Sequence, residues 1–366
     1  MMSKLSIAIG SFYLVFLGGL QAIADEPPQF TPARPGTTVA LPTDHGAHPD
    51  YETEWWYYTG HLVPVGGDLF TSDDRYGFQL TFFRRATREG GEEPTQIYLA
   101  HAGFTDLPGK RFIADSRLAP ARLGFADAAL KRLAVHHLDW SAEAIGSEHH
   151  LRFSLTAVAP ELQFRFIGAE PPSLLHGEGG FSRKGECATC ASMYYSLPRI
   201  ELRGQIVRNG TPLDVRGLAW MDHEYMTNAL QSHQVGWDWL SLMTDEGVDL
   251  MAFRIRTNDG TPPFLSGTLR KGGKTTPLGK ADLRFEPTGE RWISPHTGGE
   301  YPIAFRVEVP NHNVATEVKS LLADQEVAPK GPNGIAYYEG AVRSPDRKAI
   351  GYLEMTGYAK PLGDAL

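Results

Sequence analysis

Residues Gly236–Arg256 read GWDWLSLMTDEGVDLMAFRIR, two strands around a turn. Successive strand side chains point to opposite faces, so Trp237 and Trp239 share one face and Asp238 takes the other. Asp245-Glu246-Gly247 supplies the turn, where glycine accepts the positive φ a tight hairpin needs. The same grammar occurs earlier: Glu52–Leu62 (ETEWWYYTGHL), then a turn-rich gap, then Tyr76–Arg85 (YGFQLTFFRR). Each unit is a Trp-rich strand, a hairpin, and a mostly apolar strand ending in Phe and Arg. A repeated opening hairpin predicts two barrel-like β domains that meet near residues 226–235.

From Glu54 onward the chain alternates β-branched and aromatic residues with polar ones, split by Gly, Pro, Asn and Asp. Expected strands include Trp55–Val63, Tyr76–Arg84, Thr95–Thr105, Tyr194–Val207, Val215–Tyr225, Trp237–Met243, Ala336–Arg343 and Ala349–Gly357. Short helical patches are expected only at Asp127–Leu133 and Met226–Ser232. The fold class is therefore all-β and antiparallel, with barrels or sandwiches rather than an α/β layer structure. The 366 residues, 42% of them hydrophobic, suffice for two ordinary domains. The expected division is 49–230 for the first and 231–366 for the second.

The chain opens with a targeting signature: Lys4, an apolar run Leu5–Leu20, then Ala22-Ile23-Ala24. Residues 1–24 read as a signal peptide cleaved near Ala24, which predicts a periplasmic or secreted protein. The Pro-rich 25–48 stretch reads as a linker or an arm laid over the fold. A formal net charge of −8 with no basic run excludes a nucleic-acid partner. Cys187 and Cys190, spaced CATC, could close a local disulfide, stay as thiols, or serve redox or metal chemistry. Neither His136-His137 nor His149-His150 makes a metal site, because neighbours in a strand diverge; no cofactor is expected. Gly177-Glu178-Gly179-Gly180 lacks the setting of a phosphate loop, and no GxSxG elbow or HExxH occurs.

The chemistry-bearing residues concentrate in Ala219–Leu240, AWMDHEYMTNALQSHQVGWDWL. Alternation puts Trp220, Asp222, Glu224 and Met226 on one face, and Met221, His223 and Tyr225 on the other. Asp222 buried among rings would stay protonated and serve as a proton donor. Alternatively it pairs with an arginine of a neighbouring strand, among Arg84, Arg165, Arg199, Arg203 and Arg254. His223 and Asp238 are further proton-handling candidates. Trp220, Glu224, Tyr225, Trp237 and Trp239 would bind the ligand, joined by Trp56 and Tyr58, where an acidic residue again sits beside aromatics. A tryptophan plug at a barrel end is the other use for the Trp55-Trp56 pair.

Together with HAGFTD, GEGGFSRKG, ASMYYSLPR, GLAWMDHEY, GWDWLSL and GYLEMTGY, these motifs give a chain that resembles the AttH/carotenoid 1,2-hydratase (CrtC-like) family from about Asp50 to Tyr358. The resemblance implies two lipocalin-like antiparallel β-barrel domains and a hydrophobic small-molecule partner, a lipid or terpenoid. It further implies cofactor-free chemistry in which Asp222, or Asp238, protonates an alkene. Trp237, Trp239 or Tyr225 would then steady the cation, and His223 or Glu224 would hold the water. The competing expectation is a non-catalytic carrier of an apolar ligand associated with an envelope ABC transporter.

Overall fold

A computed structural model describes residues 30–87, 95–155, 162–227, 230–328 and 334–362. The expected signal peptide lies outside these residues. The first sheet is built from β1 (Thr53–Pro64), β2 (Tyr76–Thr87), β3 (Thr95–Asp106), β4 (Arg111–Pro120), β5 (Ala126–Ala128), β6 (Ala134–His137) and β7 (Trp140–Ile145). It continues with β8 (Glu148–Leu155), β9 (Leu162–Ala169), β10 (Leu174–Leu175), β11 (Phe181–Arg183), β12 (Ala191–Arg208) and β13 (Thr211–Met226). The order is β4-β3-β2-β1-β13-β12-β9-β8-β7-β6-β5, with β10 and β11 added to β12, an antiparallel and nearly closed barrel.

The second sheet starts at β14 (Gln234–Thr244) and continues with β15 (Asp249–Thr257), β16 (Phe264–Lys271), β17 (Lys274–Leu278) and β18 (Arg284–Pro287). β19 (Arg291–Ile293) and β20 (Glu300–Pro302) form a separate ribbon. β21 (Ala304–Val309), β22 (Val314–Ser320), β23 (Glu326–Val327), β24 (Tyr337–Arg343) and β25 (Ala349–Thr356) complete it, in the order β17-β16-β15-β14-β25-β24-β22-β21-β18, with β23 on β24. Both expected opening hairpins are present, as β1–β2 and β14–β15. The fold is all-β and lipocalin-like. The helix expected at Asp127–Leu133 does not form: β5 takes its start and a turn its remainder, because Ala126 and Ala128 alternate into the barrel core. At Met226–Ser232 the strand runs to Met226, and no helix forms among the described residues.

Strand alternation splits each wall between two cores. Trp56, Tyr58 and Leu62 of β1, with Ala219, Met221 and Tyr225 of β13, point into the first barrel. Tyr57, Leu218 and Trp220 point the other way and pack against Trp239, Met251, Phe253 and Tyr352 of the second barrel. Residues 30–50 lie against the first barrel, tied by Val39 N–H to the Gly179 carbonyl and Ala47 N–H to the Ala129 carbonyl.

Polar contacts also cross the seam. His61 Nε2 donates to the Gly351 carbonyl at 2.7 Å and Thr105 Oγ1 donates to Gln325 Oε1 at 2.6 Å. A bulge at Pro198/Ile200 leaves Arg199 with φ 62° and turns its guanidinium to Asp249 of β15 at 2.5 Å. Gly77 of β2 sits so close to β24 that a Cβ there would come within 2.6 Å of Ala341 Cβ.

Candidate functional site

The cavity that alternation prepares lies between the barrels. It is narrow, about 80 Å³, and walled by Trp55, Tyr57 and Phe83 on one side and Trp237, Trp239 and Phe253 on the other. Four carboxyl groups open into it: Asp222 and Glu224 from β13, Glu339 from β24 and Glu354 from β25. Such a concentration in an apolar cleft is costly unless the groups are paired or protonated.

Asp222 accepts from Tyr194 O–H at 2.5 Å, from Trp220 Nε1–H at 2.6 Å and from the Ser196 hydroxyl. Burial outweighs these three donors and pushes the acid up to about 7. None of the arginines offered as partners reaches it among the described contacts. Behind it, His176 bridges Ser196 Oγ at 2.7 Å and Thr268 Oγ1 at 2.9 Å, and desolvation keeps that imidazole neutral. Trp239 Nε1–H donates to the Tyr194 phenolic oxygen at 2.9 Å, so the second barrel's ring orients the first barrel's phenol. Glu224 takes the Ser192 hydroxyl at 2.5 Å and the Lys184 ammonium at 2.7 Å.

Glu339 and Glu354 face each other directly across the β24–β25 ladder. Like charges opposite one another disfavour joint ionisation. Burial, then the neighbouring Glu354, raise Glu339 well above the carboxylate range; desolvation raises Glu354 to about 8. Tyr57 O–H donates to Glu339 Oε1 at 2.5 Å. Glu339 Oε2 is buried without a hydrogen-bond partner. A neutral carboxylic acid held in this way offers an unclaimed O–H.

The residues singled out from sequence separate accordingly. Asp222, Glu224, Trp237 and Trp239 line the cleft, and Trp220, fully buried, reaches Asp222 with its indole N–H. His223, Tyr225, Trp56 and Tyr58 point into the first barrel, because they occupy the alternate positions of β13 and β1. There His223 Nε2 meets Glu54 Oε1 at 2.9 Å, and Trp56 stacks on the His223 ring at 4.8 Å. Tyr225 stacks on His48 at 3.6 Å, and Tyr58 O–H bonds His149 Nδ1 at 2.9 Å. Glu54 also meets Arg84 Nε at 2.8 Å and His48 Nδ1 at 2.8 Å; against its own desolvation it is held ionised, well below its ordinary range, by His223 first, then His48 and Arg84. The cluster His48, Glu54 and His223 has ligand atoms within 4.8 Å of one another, but Arg84 already supplies its cation. Asp238 faces the second barrel, paired with Arg254 at 2.5 Å and Arg256 at 3.3 Å. Neither His223 nor Asp238 can therefore serve the cleft. Cys187 and Cys190 form a disulfide.

Glu339, Glu354, Tyr57, Tyr194 and Lys184 escaped the sequence reading. A signal existed for two of them: Glu339 in YYEGAVR and Glu354 in AIGYLEMT are each the single acid of a mostly apolar strand. Charged residues are seldom placed there without a reason.

The AttH-like family profile matches residues 32–358. The structure superposes on the crystal structure of an AttH-assigned protein from Nitrosomonas europaea with a TM-score of 0.78 and 34% identity, covering 90% of this chain and 100% of that one. It also superposes on kievitone hydratase from Nectria haematococca, TM-score 0.64 at 14% identity, covering 91% and 98%, a likeness of fold. No curated protein matches the chain. On the extent of the profile match and the identity to the Nitrosomonas protein, the chain belongs to the AttH-like family.

Proposed function

We propose that the inter-barrel cleft performs cofactor-free acid–base chemistry on the alkene of an apolar unsaturated lipid or terpenoid, hydratase-like in type. The observation that carries this reading is Glu339, a buried acid oriented by Tyr57 whose second oxygen has no partner. In the forward step Glu339 O–H transfers its proton to one alkene carbon, leaving a carbocation and a Glu339 carboxylate. The faces of Trp55, Trp237 and Trp239 stabilise that cation, a term worth ~2 kcal/mol or more when desolvated. Water adds to the cation, and the proton it sheds returns to a cleft carboxylate, so the sum is addition of one H₂O. Asp222, with its Tyr194, Ser196 and Trp220 donors, is the second acid of the site, and ion-paired Glu224 is placed to orient the water.

The cavity of about 80 Å³ is small against the roughly 300–1,000 Å³ of drug-sized sites. It suits the reactive end of a ligand rather than a whole polyene. The Cys187–Cys190 disulfide, together with the signal-peptide-like pattern expected from the sequence of residues 1–24, supports action outside the cytoplasm. The test is incubation in D₂O with a panel of prenylated and unsaturated lipids, followed by mass spectrometry. A product heavier by D₂O, formed by the parent and reduced by roughly 10²–10⁴-fold in Glu339→Gln, is expected for a general acid. A ligand that binds tightly and is recovered unchanged would instead establish a non-catalytic carrier, and would overturn the catalytic reading.

A further inference from the structure

The cleft holds four carboxyl groups and, among the described residues, one cation, Lys184. Its side chain is mostly buried, with Nζ 2.7 Å from Glu224 Oε1, 4.1 Å from the Phe253 ring centre and 4.7 Å from that of Tyr194. The ammonium thus fills a place bounded by two aromatic faces and a carboxylate. That is the arrangement by which proteins hold cationic ligands.

What seats it there is the loop that follows. Lys184 N–H donates to the Cys190 carbonyl at 2.8 Å, and the Cys187–Cys190 disulfide closes the turn between them. On the other side Gln234 Nε2 donates to the Lys184 carbonyl at 2.9 Å, and Gln234 Oε1 accepts from Gln231 N–H at 2.8 Å. Gly185 packs so tightly that a Cβ would lie 2.5 Å from Gln231 Oε1. The disulfide loop of the first barrel is therefore clamped to the segment leading into the second, and Lys184 is the one residue of the clamp that reaches the cleft.

We propose that the Cys187–Cys190 loop is a clamp that seats Lys184 in the cleft, and that Lys184 makes the cleft select uncharged apolar ligands over cationic ones. With the ammonium in place, Glu224 is neutralised and the aromatic cation position is occupied. When the disulfide opens by thiol exchange with a dithiol, two thiols replace the bridge and the exchanging dithiol is oxidised. The loop then loses its closure, Lys184 leaves, and the vacated position accepts an alkylammonium headgroup. The selectivity half of the proposal rests on the cleft being the ligand site; the seating half does not.

Two measurements on the full-length protein separate these halves. In the first, limiting acetylation of lysines is read by mass spectrometry, with exposed Lys274 and Lys280 as internal references. Lys184 is expected to react slowly in the oxidised protein and about tenfold faster after reduction or in Cys187→Ser/Cys190→Ser, as a locally opened segment does. Equal Lys184 rates in the two states would overturn the clamp. In the second, a neutral naphthylamine fluorophore is bound and displaced by decyltrimethylammonium. Lys184→Met and the double Ser variant are expected to bind the ammonium about tenfold more tightly than the parent, while Lys184→Arg restores the parental preference. Unchanged selectivity in Lys184→Met would overturn the specificity role. Failure of every variant to bind either probe, with the acetylation result intact, would instead refute the cleft as the ligand site and with it the selectivity claim.

Discussion

At the scale of single residues, the two acidic clusters on either side of β13 behave oppositely. Glu54 is buried with Arg84, His48 and His223 and stays ionised. Removing its charge by Glu54→Gln leaves Arg84 uncompensated in the interior, which costs about 3–5 kcal/mol. Urea unfolding checks this, and a loss under 1 kcal/mol would show that the pair is dispensable. Glu354 carries the reverse linkage. In the folded state desolvation pushes its pKa up to about 8. The folded protein therefore binds a proton that the unfolded chain releases, and stability falls as pH rises from the ordinary carboxylate range through about 8. Glu354→Gln abolishes that loss, so the variant's melting temperature should exceed the parent's by a margin that widens between pH 5 and pH 9. A margin independent of pH would show that Glu354 is not protonated in the folded protein above the ordinary carboxylate range.

At the scale of elements, β13 shows what was legible from sequence and what was not. Period-two alternation separated Asp222 and Glu224 from His223 and Tyr225, and likewise Trp237 and Trp239 from Asp238. All of these lie where their strand parity puts them. Parity does not say which face meets which partner. The sequence groups Trp56 and Tyr58 with the ligand-binding rings, yet their strand turns them into the first barrel, while their neighbours Trp55 and Tyr57 line the cleft. The acids opposite Asp222 come from β24 and β25, more than a hundred residues downstream, and only the packing of the two barrels brings them to it. Lys184 was harder still, since its position depends on a loop, a disulfide and a side-chain amide rather than on a repeating pattern. The packing itself depends on small residues at the crossing of β2 and β24. Gly77→Val would drive a side chain into Ala341 and should destabilise by about 1–3 kcal/mol through overpacking. An unchanged denaturation midpoint would mean the barrels can part there without loss.

At the scale of the whole molecule, the seam is an interior rather than a loose contact. The apolar cluster around Tyr57, Trp220, Trp239, Phe253 and Tyr352 is shared by both barrels. The half-buried Arg199–Asp249 pair and the buried Tyr57–Glu339 hydrogen bond are polar links across it. Relative domain motion is the ordinary expectation unless such an interface is large and apolar. Calorimetry should accordingly show both barrels unfolding in one transition, whereas two separated transitions would make the cleft a surface groove between independent bodies. The barrels' own interiors are filled by side chains, Phe78, Phe153 and Phe164 among them in the first. The cleft, by contrast, lies between the two barrels rather than inside either.

The proposed chemistry requires a carboxylic acid kept neutral at the centre of that seam. Carbon-13 NMR of glutamate side-chain carboxyls, with Glu339→Gln used to assign the resonance, reads its protonation directly. The prediction is a Glu339 signal that stays at the protonated position through pH 7; a signal that titrates in the ordinary carboxylate range would contradict it.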